Sequence, residues 1–514
     1  MKIPELAALL LYFVFVLGIG IYFFLKDRKK SAGEKDYFLG GRAMNGWVSA
    51  LSAGASDMSA WVLMGLPGSI YLLGMGQVWI AFGLLLGTVA AWLTTAPVLR
   101  RYSIAAGDAI TIPQFLTRRF CTKRREIMVI SAIVFVITYC IYTAASLYAC
   151  GTLFNTVLGM NAKTAMLIAS CVIVVYTFLG GFNAVCWTDF FQGLLMLGAL
   201  MFVPILAVVM MKSGAWTPQA ANLPANYYNA LSGGQADWKS FSDIISGLGW
   251  GLGYFGMPHI LIRYFSVKSE KEMRKSQIIG CVWILLILVA SSVVGLVGRR
   301  FLGDSLVGTK DGNTLVFINM VRAVFDWIGS GTGLAAVSMF CAGILLSAIL
   351  AAAMSTADSQ LLASASAFAS DIYKPLLRRN ASDREMLWAG RLVVFGIAAA
   401  AYFIAGNPHC KGLMSLVSCA WAAFGSAFGP VMILALFWKR LTYSGAAAGI
   451  ISGFAVDILW YNLLQKTLIY EIVPGFGAGL AAAAAVSLLT KKPPKEVIEL
   501  FEASRLPREN SEVR

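Results

Sequence analysis

Charge is what this chain lacks most. Only 13% of its 514 residues are Asp, Glu, Lys or Arg, about half the roughly 25% of an average soluble domain. Histidine is almost absent: His259 and His409 are too few and too isolated for a metal centre. The nine cysteines (121, 140, 150, 171, 186, 281, 341, 410 and 419) form no CxxC pair and lie mostly within apolar segments. They read as small buried hydrophobes, which excludes a disulfide framework and a zinc site. No HExxH, GxSxG or phosphate-binding loop occurs, so an intramembrane enzyme has no support. Hydrophilic length is missing too. The outer pieces 212–242 and 299–331 and the tail from Lys491 are each too short for a second core. One transmembrane domain over 1–490 is expected, followed by a short charged cytoplasmic tail, 491–514.

Apolar length is what the chain has. Residues of the apolar classes make up 58%, and mean hydropathy is +0.73. They gather in runs of about 20, enough for a helix to cross a hydrocarbon core of roughly 30 Å. A cytosolic enzyme, a secreted scaffold and a β-barrel of about 10-residue alternating strands are excluded. The expected class is an all-α polytopic membrane protein. Helices are placed near 5–25, 47–72, 77–98, 127–156, 161–179, 189–211, 243–262, 278–298, 332–369, 386–406, 413–437, 442–464 and 472–490, thirteen in all. The first run lacks a small-residue cleavage site and is longer than a signal peptide's apolar region, so it counts as a span. The stretch 332–369 is too long for one crossing and is expected to begin with an amphipathic or loop portion.

The net charge of +15 resides in loops between apolar runs, where it sets topology rather than binding nucleic acid. With the N-terminus outside, the inner segments hold Lys26 through Arg42 (Lys29 and Lys30 among them), Arg100 through Arg125, Arg263 through Lys275, Lys374 through Arg384, Lys439, Arg440 and the tail. That is 30 of the 41 Lys and Arg, against 10 outside, Lys310 included, and Arg391 within a span. Such a bias points inward. The expectation is N-terminus out and C-terminus in the cytoplasm.

Glycine and polar clusters inside a span mark protein-lined cavities, because lipid leaves backbone groups unpaired. The second span has Gly54, Ser52, Ser56 and Ser59 around Asp57, then Gly65, Pro67 and Gly68. The seventh has Gly247, Gly249, Gly251, Gly253 and Gly256 before Pro258 and His259. Five spans separate them, the spacing of two five-helix repeats of inverted topology, each opening with a discontinuous helix. Tight helix crossings are the other use of such glycines. Asp57 costs about 2.5–3.5 kcal/mol at a helix centre and has no basic residue in its span. A bound cation would compensate it; capping the second half-helix is the alternative. In the ninth span Ala352, Ser355, Thr356 and Ser359 share one helical face. They form either a hard oxygen surface for sodium or hydroxyls bonding back to their own helix.

Four segments then carry a resemblance: Ser52 to Gly68, Gly180 to Gln192 with its Trp187-Thr-Asp189, Trp250 to His259, and Met354-Ser-Thr. Together they resemble the solute:sodium symporter family, over the chain from the first span to about residue 490. The resemblance implies a five-plus-five inverted-repeat, LeuT-like core in spans 2–11, with repeat one about 47–211 and repeat two about 243–437. Helices 5–25, 442–464 and 472–490 would be peripheral. It implies sodium-coupled uptake of L-proline across a bacterial plasma membrane. The sodium ligands it implies are carbonyls of Ala55, Met58 and Ala352 and hydroxyls of Ser355 and Thr356. Asp57 and Asp189 would serve ion coupling, and Ser59, Trp61, Tyr142, Trp250, Tyr254 and Pro258 would line the substrate. Ala60 departs from the glycine expected there.

Sodium is thus expected as cargo, with no other cofactor, no nucleic acid and no obligate protein partner; the bilayer is the medium. Three rivals stay open at the level of sequence. One is a sodium symporter for another amino acid, pantothenate or a monocarboxylate. Another is a proton-coupled carrier titrating Asp57 or Asp457. A membrane sensor is disfavoured by the short tail. No basic residue is expected at the pocket centre, which argues against di- and tricarboxylates.

Overall fold

Long runs of Leu, Ile, Val, Phe and Ala become helices because only internal hydrogen bonds satisfy a backbone in lipid. The computed structural model describes residues 3–28, 34–231, 234–309, 311–464 and 469–505. Lys29, Lys30, Lys310 and the tail beyond Arg505 lie outside the described residues.

The first helix, α1 (Ile3–Arg28), is followed by the short α2 (Glu34–Leu39). Next comes an interrupted span. α3 (Gly46–Met58) begins where the Asn45 side chain accepts from Val48 N–H, the usual helix-start device. It stops at Ser59, whose φ of +34° is left-handed, and a 3-10 turn, Ala60–Val62, leads to α4 (Gly65–Leu73). α5 (Val78–Ala90) and α6 (Ala96–Ala105) run in line through a π segment; α7 (Ile112–Arg119) is short. α8 (Glu126–Leu158) and α9 (Ala162–Lys212) follow. Gly181, with φ +55°, bends α9 into two segments, a conformation that glycine adopts at little cost.

The second interrupted span is α10 (Trp238–Gly249), a 3-10 turn over Trp250–Phe255, and α11 (Pro258–Ser266), opened by Pro258 in its first turn. Then come α12 (Glu270–Leu302), α13 (Val316–Thr332), α14 (Ala335–Ala367) and α15 (Asp383–Ala405). The chain ends with α16 (Leu413–Phe437), α17 (Tyr443–Leu463), α18 (Ile472–Leu489) and α19 (Lys495–Ala503). Among the described residues ten helices are long and apolar enough to cross a membrane, and two shorter apolar ones, Ala60–Leu73 and Ala162–Phe178, accompany them.

The interruptions fall in the expected second and seventh spans. Just before α3 and just after α11, Met44 and Val267 form an isolated parallel bridge, with Met44 N–H donating to Ser266 O at 3.1 Å and Lys268 N–H to Met44 O at 2.9 Å. That pairing fixes the entry of one broken helix to the exit of the other. α14 packs against α1, α8, α9 and α13, while α12 packs against α3, α4 and α9.

One expectation is refined and two need correction. The long ninth stretch, 332–369, opens with a short break at Gly333 and Leu334 and is helical from Ala335; further surplus length lies at the far end, in a π segment over Phe368–Leu377. Burial of two thirds of its apolar window, 67%, removes the length limit that lipid alone would impose. Half of the hydrophilic piece 299–331 is the helix α13, whose apolar side packs on α14. Arg263, counted with an inner loop, instead sits inside α11 with a fully buried side chain. A carboxylate across the core supplies the reason, as described next.

Candidate functional site

Residues 55–58 are the last four of α3, and the last four carbonyls of any helix lack an intrahelical donor. Across from them stands the middle of α14. Ser355 Oγ lies 2.9 Å from Ala55 O and 3.1 Å from Ala352 O, so one hydroxyl hydrogen serves two carbonyls from two helices. Thr356 Oγ1, one residue on, is buried without a hydrogen-bond partner among the described residues. Ala55, Met58, Ala352, Ser355 and Thr356 are all fully buried. The geometry joins Ala55, Ala352 and Ser355 directly; Met58 is the last residue of α3, and Thr356 carries an oxygen without a partner among the described residues. Neutral hard oxygens of this kind suit a small monovalent cation. Back-bonding to Ala352 occurs as well, but the Ala55 contact goes beyond it.

Asp57 does not cap the second half-helix. Its Oδ2 accepts from the Tyr254 hydroxyl at 2.5 Å, and its Oδ1 is buried without a partner among the described residues. Beside it lies a cavity bordered by Gly54, Trp92 and Tyr264, with room for about one water molecule. The Tyr142 hydroxyl approaches the Asp57 backbone oxygen at 3.5 Å. A carboxylate at the end of one broken helix is therefore held from the break of the other.

Aromatic rings gather around the same breaks. Trp61 and Trp250 have centroids 6.0 Å apart. Trp250 stacks on Tyr470 at 5.0 Å and on Trp421 at 6.4 Å, and Tyr254 meets Trp421 edge-on at 5.3 Å. The Trp421 indole donates to Trp250 O at 2.8 Å. Gly253 is required here: a Cβ on it would come within 2.1 Å of that indole nitrogen. Ser59 turns its hydroxyl to the Trp61 amide at 3.4 Å, and Pro258 is buried at the start of α11. Trp421, within α16, and Tyr470, just before α18, went unread in the sequence, because single aromatics in an apolar chain carry no pattern.

Asp189 belongs to a second polar knot, inside the second half of α9. Arg263 Nη2 pairs with Asp189 Oδ2 at 3.2 Å, and Ser52 Oγ donates to the same oxygen at 2.7 Å. Arg263 also donates to Ser359 Oγ, to Ser52 Oγ and to His259 O. Asp358 is buried nearby, accepting from the Tyr176 hydroxyl at 2.6 Å. Arg263 and Asp358 were missed as site residues. Their signal was present, since ionisable groups within spans face protein partners.

Residues 37–453 match the model of the sodium:solute symporter family. This chain belongs to that family. The high-affinity proline transporter PutP of Bacillus subtilis is 41% identical over 474 residues, 92% of this chain and 96% of that one. The osmoregulated proline transporter OpuE of the same organism is 39% identical over 503 residues, 98% of each chain. A sodium/proline symporter of Staphylococcus aureus is 39% identical over 494 residues, 94% of this chain and 92% of the other. Among solved structures, a Na+-coupled sialic acid symporter in a substrate-bound outward-open state superposes with TM-score 0.75 at 19% identity, covering 96% of this chain and 99% of that one. Mhp1, a nucleobase-cation-symport-1 family transporter, gives 0.52 at 14% identity, covering 91% and 98%. The fold is thus the LeuT-like five-plus-five inverted repeat. This sodium:solute symporter is a multi-pass membrane transporter and not an enzyme.

Proposed function

We propose that this protein is a secondary active transporter that carries L-proline into the cell together with sodium, by alternating access. The observation that carries this reading is the junction of Ser355 Oγ with the Ala55 and Ala352 carbonyls. It ties a frayed helix end to a hydroxyl-bearing neighbour, next to the unused Thr356 hydroxyl and the buried Asp57. The names of the relatives at about 40% identity support the solute.

Sodium would take the Ala55, Met58 and Ala352 carbonyls with the Ser355 and Thr356 hydroxyls, and Asp57 would supply the nearby negative charge. Binding there joins α3 to α14 and so sets the break between α3 and α4, from which Ser59 and Trp61 project. Proline would lie among Ser59, Trp61, Tyr142, Trp250, Tyr254 and Pro258. Its ring suits aromatic walls, its ammonium their faces, and its carboxylate the positive start of a half-helix. Arg263, the cation closest to this region in the chain, is committed to Asp189. Asp189 would lie on the sodium path inward.

In this reading repeat one spans about 47–211 and repeat two about 243–437, flanked by 5–25, 442–464 and 472–490, thirteen crossings in all. The N-terminus is outside the plasma membrane and the 491–514 tail is cytoplasmic. A membrane potential of 100 mV supplies about 2.3 kcal/mol per charge and a tenfold sodium gradient about 1.4 kcal/mol. One sodium per proline would then support accumulation of several hundred-fold.

Uptake of labelled proline into proteoliposomes, with and without an inward sodium gradient and against competing solutes, tests this. Uptake that follows sodium and is displaced by unlabelled proline is expected. Uptake driven by a pH gradient without sodium, or displaced only by another solute, overturns it.

A further inference from the structure

Two cavities meet along α12. One, of about 450 Å³, lies between the end of α12 and the end of α9, and Lys212, Tyr228 and Arg300 line it. The other, of about 240 Å³, is a groove between α5 and α12, bordered by residues such as Phe82, Leu285, Val289 and Val293. Leu296 borders both. The Met75 amide donates to the Tyr227 carbonyl at 2.8 Å, which holds the segment carrying Tyr228 against the start of α5. The two are neighbouring parts of one depression, and their chemistry differs. The groove has a single polar side chain, Ser292, whose hydroxyl donates to Leu288 O in its own helix at 2.8 Å. The cavity at its head has two cations and no Asp or Glu among its lining residues. Like charges around one space repel each other unless a counter-charge joins them. The next acid along the chain, Asp304, is taken: Arg299 pairs with it at 2.5 Å, and the Asn222 amide donates to it at 2.9 Å. Among the described residues neither Lys212 nor Arg300 has an ion pair.

We propose that this depression binds one anionic phospholipid, its phosphate on Lys212 and Arg300 and one acyl chain in the groove between α5 and α12. An arginine fork matches phosphate oxygens two at a time, and basic pockets between transmembrane helices take acidic headgroups. Length agrees with this occupant. From Arg300 back to Leu285 is about 22 Å of helix at 1.5 Å per residue, enough to cover the roughly 15 Å that one leaflet's chains fill. A free anion would satisfy the two cations but leave the apolar groove unused, and a zwitterionic lipid would fill the groove but bring no net negative charge. Position gives the site a consequence that does not depend on what the protein transports. α5 packs against α10, and α12 against α3 and α4, so a lipid held between α5 and α12 touches the packing partners of both interrupted spans.

The test uses the full-length protein in detergent, with native mass spectrometry counting the lipids that stay bound from equal amounts of phosphatidylglycerol and phosphatidylcholine of the same chains. The parent should retain one phosphatidylglycerol at least threefold over phosphatidylcholine. In Lys212→Gln/Arg300→Gln that preference should fall by at least half. In Lys491→Gln/Lys492→Gln, the same change of charge just past α18, it should persist. All four side chains are exposed, so the fold does not depend on them. Val289→Trp, at an exposed position in the groove, should reduce retention of phosphatidylglycerol by blocking its chain. Millimolar glycerol 3-phosphate, a headgroup without chains, should not displace the lipid. Equal retention of the two lipids by the parent, equal loss of preference in both charge variants, unchanged retention in Val289→Trp, or displacement by glycerol 3-phosphate each overturns the proposal.

Discussion

The Tyr254 hydroxyl donates to Asp57 Oδ2 at 2.5 Å, linking residues 197 positions apart in the chain. Each stands at the interruption of its own helix, so the two breaks are joined by one charge-assisted hydrogen bond. Bonds to a charged group contribute about 1.5–3 kcal/mol. Tyr254→Phe keeps the ring against Trp421 and removes only the donor. The sodium concentration for half-maximal uptake should rise about tenfold, roughly 1.4 kcal/mol. Asp57→Asn should weaken sodium dependence far more. Sodium activation curves of the two variants check this; an unchanged curve for Asp57→Asn removes Asp57 from the ion mechanism.

Ser355 and Thr356 separate ion binding from solute binding. Ser355→Ala loses an oxygen that already meets both the Ala55 and Ala352 carbonyls, and Thr356→Ala loses one without a partner among the described residues. The double variant should need at least tenfold more sodium, with proline KM at saturating sodium little changed. Thr356→Ser should behave like the parent. If proline KM shifts at saturating sodium while the sodium curve does not, these hydroxyls belong to the solute site instead.

The buried Arg263–Asp189 pair makes a stability prediction. Removing one partner of such a pair leaves a bare charge and costs about 3–5 kcal/mol, whereas replacing both by apolar groups is often neutral. Arg263→Met should lower the thermal midpoint markedly. Arg263→Met/Asp189→Leu should recover most of the loss without restoring transport. Equal midpoints for the single and double variants would mean that the pair carries no special strain.

Much of this architecture was legible because membrane physics leaves few choices. Apolar runs marked the spans, and the glycine-rich segments at 54–68 and 247–256 marked both interruptions. Asp57, Ser355 and Thr356 stood out because polar atoms inside spans are costly. What stayed hidden depended on partners distant in sequence. Arg263 looked like a loop cation until Asp189 was seen across from it. Trp421 and Tyr470 differ from any core aromatic only through Trp250. The continuation of α14 into a π segment over Phe368–Leu377 stayed hidden because burial in protein, invisible in hydropathy, relaxes the limit that lipid sets.

Gly253 tests the packing of the second break. A Cβ there meets the Trp421 indole within 2.1 Å, and overpacking of this kind costs about 1–3 kcal/mol. Gly253→Ala should lower the thermal midpoint and raise proline KM together. Adding Trp421→Phe, which shortens the side chain, should return part of the midpoint. If Gly253→Ala is silent in both, the turn does not press on Trp421.

Outside the spans, Asp108 offers a pH dependence with a definite sign. It sits between α6 and α7, paired with Lys35 and with Arg42 Nε, the latter at 2.7 Å. Burial pushes its carboxyl up, but the hydrogen bonds and charges of Lys35 and Arg42 outweigh that and leave it below the usual carboxylate value. A carboxyl lowered on folding adds stability above its unfolded pKa, about 3.9, and loses it as pH falls through the lower folded value. Arg42 is itself almost fully buried, donating also to the Phe265 and Ala109 carbonyls at 2.7 and 2.8 Å. Losing the Asp108 charge therefore loosens the joint between the entry to α3 and the end of α11. Asp108→Asn should lower the thermal midpoint by a constant amount between neutral and mildly acidic pH, and the gap to the parent should begin to narrow as the pH falls below about 3.9 and close only below the lower folded value. A gap that stays constant into strong acid would show that the carboxylate's charge plays no part in that joint.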